Sequence, residues 1–526
     1  MERPSSNRLF IKPNTPSISR DNNGEKQRDE NTEEPMEDES SYLTGFKLYA
    51  IVLGLTLSVL LVALDNAILA TAVPTITTVF DSLSDVGWYG SAFLISLCAL
   101  QPLSGKLYQH FSLKWTYLSF LGIFELGSLL CGAARSSTML IVGRAVAGMG
   151  AAGLFSGALT IISHTIALQS RPIYIGLIAS SSQIANVLGP LIGGALTQHV
   201  SWRWCFYINL PFGAATAALL IFFFHPRRDD NSLRFRQKLL HLDLPGFLIF
   251  IPAVLMLLLA IEWGGGKFPW NSATIIGLLC GFAGMMVVFA VWQWYQKDEA
   301  SIPPRIFLNR NILTASVTSF LFFGSLQLMI YYLPIWFQVI KHASPTKSGI
   351  MLLPMVIGTL IFTMVGGALV TKTGYFNPPL FFGTILLTLG VGLASTFHTD
   401  TGSPKWIGYQ VLFGAGAGAG MPMCLIAVMA VLPQNEISIG NAIVVFFQFL
   451  GGSIFLAIAA SVFASQLIKE LAIFAPTVNV QSVVAAGAAA VASVYIAIAG
   501  GGASFLASFG MQWVSVKGKS LVGGAV

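Results

Sequence analysis

From residue 46 to residue 515 the chain is a succession of long apolar runs separated by short polar breaks. Each run reaches about 20 residues, the length a helix needs to cross the hydrocarbon core of a bilayer. The runs fall near residues 47–72, 88–108, 115–134, 138–166, 173–197, 204–224, 244–263, 273–295, 312–338, 349–371, 379–397, 406–432, 438–465 and 488–513. They predict about fourteen crossings. All should be helices, because backbone that faces lipid must satisfy its own hydrogen bonds. The last run, AAGAAAVASVYIAIAGGGASFLASFG, is rich in Ala and Gly, so its start is the least sharply defined.

The polar breaks add an orientation. With the N-terminus inside, the inner loops hold fourteen Lys and Arg and the outer loops seven. The positive-inside rule then places both ends of the chain in the cytoplasm, which needs an even number of crossings. Residues 1–39 break the pattern, with ten acidic and six basic side chains and no apolar periodicity. They read as a disordered acidic tail rather than a signal peptide. Composition agrees: 54% of the 526 residues are hydrophobic and 10% are charged, against about 25% charged in an ordinary soluble protein. Lipid must cover this surface, and nucleic acid is not an expected partner.

Charge inside the runs is scarce. Asp65, Glu125 and Arg144 are the three charged side chains placed deep within predicted crossings. Such a charge costs ~2.5–3.5 kcal/mol at the bilayer centre even on insertion-based scales, so each marks a candidate functional site. Two acids and an arginine in the first crossings point to a proton or substrate pathway, hence to a transporter. Enzyme chemistry is not expected. The five Cys and seven His form no metal-ligand spacing, no P-loop is present, and no cofactor or metal is implied. Polar and aromatic groups inside the runs, namely Gln183, Asn186, Gln327, Tyr331, Tyr332, Asn441 and Gln448, are candidates for lining a substrate cavity. Trp88, Trp115, Trp202 and Trp270, near run ends, read as interfacial anchors.

The loop HPRRDDNSLRFRQK (225–238) divides six runs from eight, and a weak repeat relates the two parts. GKLYQHFS (105–112) follows the second run as GALVTKTG (367–374) follows the tenth, so removing the seventh and eighth leaves two matching six-run units. Internal repeats of this kind mark transporters.

Several stretches resemble a known family. LDNAILATAVPTI (64–76) is similar to its L-D-x-T-I-V-N-V-A-L-P motif, with Asp65 at the acidic position. LIVGRAVAGMGAAG (140–153) resembles R-x-x-x-G-x-G, with Arg144, Gly148 and Gly150. QIANVLGPLIGGAL (183–196) resembles the antiporter motif G-x-x-x-G-P-x-x-G-G, with Ala185 in the first Gly position, then Gly189, Pro190, Gly193 and Gly194. GKLYQHFSLKW (105–115) is similar to the gate motif G-x-L-a-D-r-x-G-r-k, retaining Gly105 and Lys114 but with Gln109 for the acid and Ser112 for the second Gly. SWRWCFYINLPFG (201–213) resembles a signature of fourteen-span exporters. The family is the fourteen-span drug:proton antiporter group of the major facilitator superfamily, and within it the fungal toxin-efflux branch. The resemblance spans about residues 45–519.

The resemblance implies an all-α membrane protein with two six-helix bundles and two linker helices. The expected parts are an acidic cytoplasmic tail (1–45), a first bundle (46–225), a loop with the linker helices (226–310), a second bundle (311–515) and a short tail (516–526). It implies a monomeric, proton-coupled exporter of a small organic compound, such as a fungal toxin, secondary metabolite or drug, in the plasma membrane. Asp65 would carry the proton, for a carboxyl in a low-dielectric bundle is easier to protonate. Arg144 would tune it, and Glu125 is a second candidate beside a structural role. The alternative is proton-coupled uptake, or vacuolar loading, of basic amino acids or siderophores. A channel or receptor would lack proton movement tied to substrate.

Overall fold

A computed structural model of the chain describes residues 45–82, 85–226, 237–238, 241–265, 268–474, 504, 507–508 and 510–515. The expected tails, most of the 225–238 loop and most of the 488–513 run lie outside the described residues. The apolar runs become helices: α1 Phe46–Phe80, α2 Val86–His110, α3 Leu113–Gly132, α4 Ser137–Thr165, α5 Arg171–His199, α6 Trp204–Tyr207, α7 Asn209–Phe223, α8 Leu244–Trp263, α9 Ala273–Gln296, α10 Pro304–Phe307, α11 Arg310–Ile340, α12 Pro345–Ile350, α13 Leu353–Thr373, α14 Asn377–Ala394, α15 Ser403–Val431 and α16 Ile437–Phe474. Twelve crossings among the described residues have the length and apolarity to span a membrane, with α6 and α7 counted as one. The helix α2 also has the length, at 25 residues, but its second half carries Gln101, Ser104, Lys106, Gln109 and His110.

Local chemistry sets the ends. Ser136 caps α4 by accepting from the Met139 N–H at 3.2 Å, as expected of an N-cap serine. The α13 helix stops at Gly374, whose φ of 87° is the left-handed turn that glycine adopts at no steric cost.

Burial sorts the helices into layers. In α4 and α15 83% of the most apolar stretch is covered by protein; in α9 the share is 11%. So α4 and α15 are central, and α9 faces outward. The first half packs α1 on α5 and α7, and α4 on α2 and α3; the second packs α15 on α13 and α14, and α11 on α16. Two seams join the halves, α2 with α16 and α5 with α13. They are counterparts under the repeat. A Cβ added to Gly105 would stand 2.8 Å from Ala442 Cβ, and one added to Gly367 would stand 3.0 Å from the Pro172 carbonyl oxygen. The two glycines matched in the repeat therefore occupy matching places, one at each seam, where a side chain would force the helices apart.

At the same end, here called the basic end, a second set of contacts ties the halves together. Arg171 donates to Gln434 Oε1 at 3.4 Å, and Gln434 Nε2 donates to the Ser163 carbonyl at 2.5 Å. Helix α8 packs against α2 and carries α9 on its other side, and the α8–α9 pair is pinned by Asp243. That carboxylate accepts from Gly246 N (3.1 Å), Trp292 Nε1 (2.7 Å), Gln293 Nε2 (3.1 Å), Ser301 N (2.7 Å) and Ser301 Oγ (2.5 Å). Lys106 reaches the carbonyls of Asp298 and Glu299 at 3.5 and 3.4 Å. Arg305 bridges Asp298 (3.1 Å) and Glu436 (2.5 Å). Lys106, Arg171 and Asp243 are thus nearly as buried as Asp65 and Arg144, at 2, 2 and 3% exposure. Arg171 and Asp243 fall between the apolar runs, and Lys106 at the end of one. Trp202 likewise is no interfacial anchor: it is 4% exposed and packs edge-on against Phe80 and Phe206.

Candidate functional site

Asp65 and Arg144 meet. Both side chains are fully buried, and Arg144 Nη1 donates to Asp65 Oδ2 in a direct ion pair. Each partner has further ties. Asn209 Nδ2 donates to Asp65 Oδ1 at 3.0 Å and lies 3.0 Å from Ser128 Oγ. Arg144 Nε donates to the Tyr89 carbonyl at 2.8 Å, and its guanidinium lies over the Phe93 ring, 4.4 Å from the centroid. One cluster therefore joins α1, α2, α3, α4 and α7. Arginine suits it because a planar fork can serve a carboxylate, a carbonyl and a ring together. A buried pair is tolerable only when the remaining polar atoms also find partners, and here they mostly do. Gly148 lets the α2 backbone at Phe93 come close enough for the ring to cover Arg144.

Glu125 is placed differently. It lies on α3 against Gly213 of α7. Neither carboxylate oxygen has a hydrogen-bond partner among the described residues, and it does not line the cavity between the halves.

That cavity, of about 120 Å3, opens between the two halves beside the ion pair. Of the cavity candidates, Gln183, Asn186, Gln327 and Gln448 line it. Tyr331, Tyr332 and Asn441 do not. Tyr331 is 52% exposed, Tyr332 is buried in the core of the second half, and Asn441 is buried next to the Gly105 seam. Asn66, Ser182 and Ser453 line the cavity without having been singled out. Phe93 also lines it, so one ring covers Arg144 on one side and meets the cavity on the other.

Asn209 was also missed. Its signal was present in SWRWCFYINLPFG, where it stands as the polar residue of an apolar stretch. The antiporter-motif residues seat α1. Ala185 is buried. A Cβ on Gly189 would lie 2.9 Å from the Ala67 carbonyl carbon, and one on Gly193 would lie 3.0 Å from the Ile68 oxygen, just past Asp65. Pro190 lies within α5. Gly194 faces open space. Gly189→Ala is therefore expected to cost ~1–3 kcal/mol by overpacking, lowering both thermal stability and transport, while Gly194→Ala leaves both near wild type. Equal losses at the two positions in a melting and transport assay would refute this packing account. Of the gate residues, Gly105 lies in a seam, whereas Lys114 donates to the Ile221 carbonyl at 2.6 Å within the first half. Gln109 Oε1 accepts no hydrogen bond among the described residues.

A helical bundle in two pseudo-symmetric halves, with a cavity between them and a buried ion pair behind its wall, is the arrangement of a membrane transporter. The Major Facilitator Superfamily model matches residues 55–456. The chain is 46% identical over 504 residues to "MFS-type efflux pump MFS1" of Trichophyton rubrum, covering 91% of this chain and 94% of that protein. It is 43% identical over 521 residues to "Efflux pump mlcE" of Penicillium citrinum, covering 93% and 94%. Among solved structures, it is similar in fold to the proton:xylose symporter XylE (TM-score 0.59, 15% identity, 88% and 94% covered). It is also similar in fold to the human organic anion transporter MFSD10 (TM-score 0.60, 15% identity, 89% and 100% covered). The chain belongs to the Major Facilitator Superfamily, and it is a transporter rather than an enzyme.

Proposed function

We propose that the chain is a proton-coupled exporter of a small organic compound, a fungal toxin or secondary metabolite, working by alternating access. The observation that carries the reading is the Asp65–Arg144 pair, set behind a ring that also lines the cavity. The names of the similar proteins, efflux pumps, favour export over uptake. The full architecture is fourteen crossings: two six-helix bundles, with α8 and α9 as linker helices and the last crossing in 488–513. The basic end faces the cytoplasm, the host is the plasma membrane, and the carrier is a monomer.

The geometry supports a route for coupling. A proton on Asp65 cancels the charge that holds Arg144. Arg144 then loses its strongest partner while keeping the Tyr89 carbonyl and the Phe93 ring, both on α2. The balance of contacts among α1, α2 and α4 changes, and with it the cavity wall formed by Phe93. By linkage, whatever substrate does to proton affinity at Asp65, the proton does to substrate affinity. Glu125, an acid with no hydrogen-bond partner among the described residues, on a helix that also contributes to the cluster, is a second stop for the proton. A proton moving inward also draws on the membrane field, roughly 2.3 kcal/mol per charge per 100 mV.

The test is flux in inside-out membrane vesicles. Acidifying the lumen should drive accumulation of an exported compound, and a protonophore should collapse it. Accumulation that is indifferent to the pH gradient would overturn the reading.

A further inference from the structure

The cavity also carries information about its cargo. Its described wall contains no Asp, Glu, Lys, Arg or His. The nearest deep charges are spent on each other, since Asp65 gives one oxygen to Arg144 and the other to Asn209, and the Phe93 ring lies over the guanidinium. A charged ligand in this space would lose its water and gain no counter-charge, a penalty of several kcal/mol per ion even after relaxation.

The wall offers something else. Gln183 and Asn186 come from α5 of the first half; Gln327 on α11 and Gln448 on α16 come from the second. A side-chain amide both donates and accepts, so each can meet a carbonyl or a hydroxyl. Between the amides stand phenyl rings from both halves, with Phe93 on one side and Phe323 and Phe449, edge to face at 5.6 Å, on the other. Rings of this kind suit a flat unsaturated body.

We infer that the cargo is an electrically neutral, ring-bearing compound with carbonyl or hydroxyl oxygens, of the lactone or quinone type, gripped by carboxamides of both halves at once. This rests on the exporter reading for its site. It departs from basic amino acids and organic cations, which would each bring charge into an uncharged wall. Gripping from both halves ties cargo to the alternation, because neither half alone completes the hydrogen-bond set.

A matched set of three probes tests it: an anthraquinone bearing a hydroxymethyl, a sulfonate or a trimethylammonium group. Binding to the purified full-length carrier is read by equilibrium dialysis. The neutral probe should bind, and both charged ones should bind about tenfold weaker or worse, because nothing in the wall compensates their desolvation. Gln183→Leu and Gln448→Leu should each weaken the neutral probe, since each comes from a different half. Gln448→Glu should invert the order and favour the cation, which checks that the probe sits in this cavity. A charged probe that binds wild type as well as the neutral one overturns the inference, and so does failure of all three to bind. The exporter reading fails separately. If the neutral probe binds as expected but a pH gradient drives no accumulation in vesicles, transport falls and cargo chemistry stands. If the gradient pumps the cation, the reverse holds.

Discussion

Arg144→Ala is expected to abolish proton-driven efflux and to lower the melting temperature of the purified carrier more than any other single change in the ion-pair cluster. Removing one partner of a buried pair leaves the other charge without compensation, a loss of ~3–5 kcal/mol. Here the loss also strips a donor from the Tyr89 carbonyl and the cation from the Phe93 ring. Arg144→Lys keeps the charge but cannot serve carboxylate, carbonyl and ring together, so it should recover some stability and little transport. Asp65→Asn mimics the protonated acid: the protein should bind and exchange substrate but not accumulate it, and should lose its pH dependence. The double variant Asp65→Leu with Arg144→Met separates structure from function. It replaces the pair by apolar groups, which is often neutral or stabilising, so it should melt near wild type and still fail to pump. A double variant that pumps with normal pH dependence would reduce the pair to scaffolding.

The second large effect is expected at Asp243→Ala. Five donors from four residues converge on this carboxylate, and hydrogen bonds to a charged group contribute ~1.5–3 kcal/mol each. The buried donors of Gln293 and Ser301 would be left unmatched. We expect a clear drop in melting temperature and rapid protease cleavage between residues 297 and 305, where Lys106 and Arg305 also attach. Asp243→Asn, which keeps an acceptor oxygen, should fall between. Unchanged cleavage in Asp243→Ala would show that α8 and α9 are held by apolar packing alone.

The crossings were legible because lipid selects for length and apolarity, and both can be read directly along the chain. The Asp65–Arg144 site was legible because charge in an apolar run is conspicuous. What could not be read was rotation about each helix axis. A helix in a membrane is apolar on both its lipid face and its core face, so periodicity does not tell one from the other. Tyr331 and Tyr332 are adjacent, yet one is exposed and the other buried in the second half. Gln183 and Glu125 were both polar insertions, yet one meets the cavity and the other packs on Gly213. The charges at the basic end were illegible for the opposite reason. Lys106, Arg171 and Asp243 lie between the apolar runs or at the end of one, and only the folded chain brings carbonyls, amides and an indole to them. The Gln109 departure from the gate motif was visible, but the tie made by Arg305 to Glu436 links positions 131 residues apart.

The Asp243 pin has a consequence for how the molecule is made. Every group it binds lies between residues 246 and 301, and the carbonyls that meet Lys106 are those of Asp298 and Glu299. All of this has left the ribosome before α11 begins at Arg310. Chains fold unit by unit from the N-terminal side as they are synthesised, so the α8–α9 pair can lock onto the first half while the second is still unborn. The tie from Arg305 to Glu436 and the ring contacts of Phe250 with Phe446 and Phe307 with Phe447 must wait. The second half can thus be inserted beside a template whose docking edge is already in place, with α8 and α9 serving during biogenesis as a built-in jig.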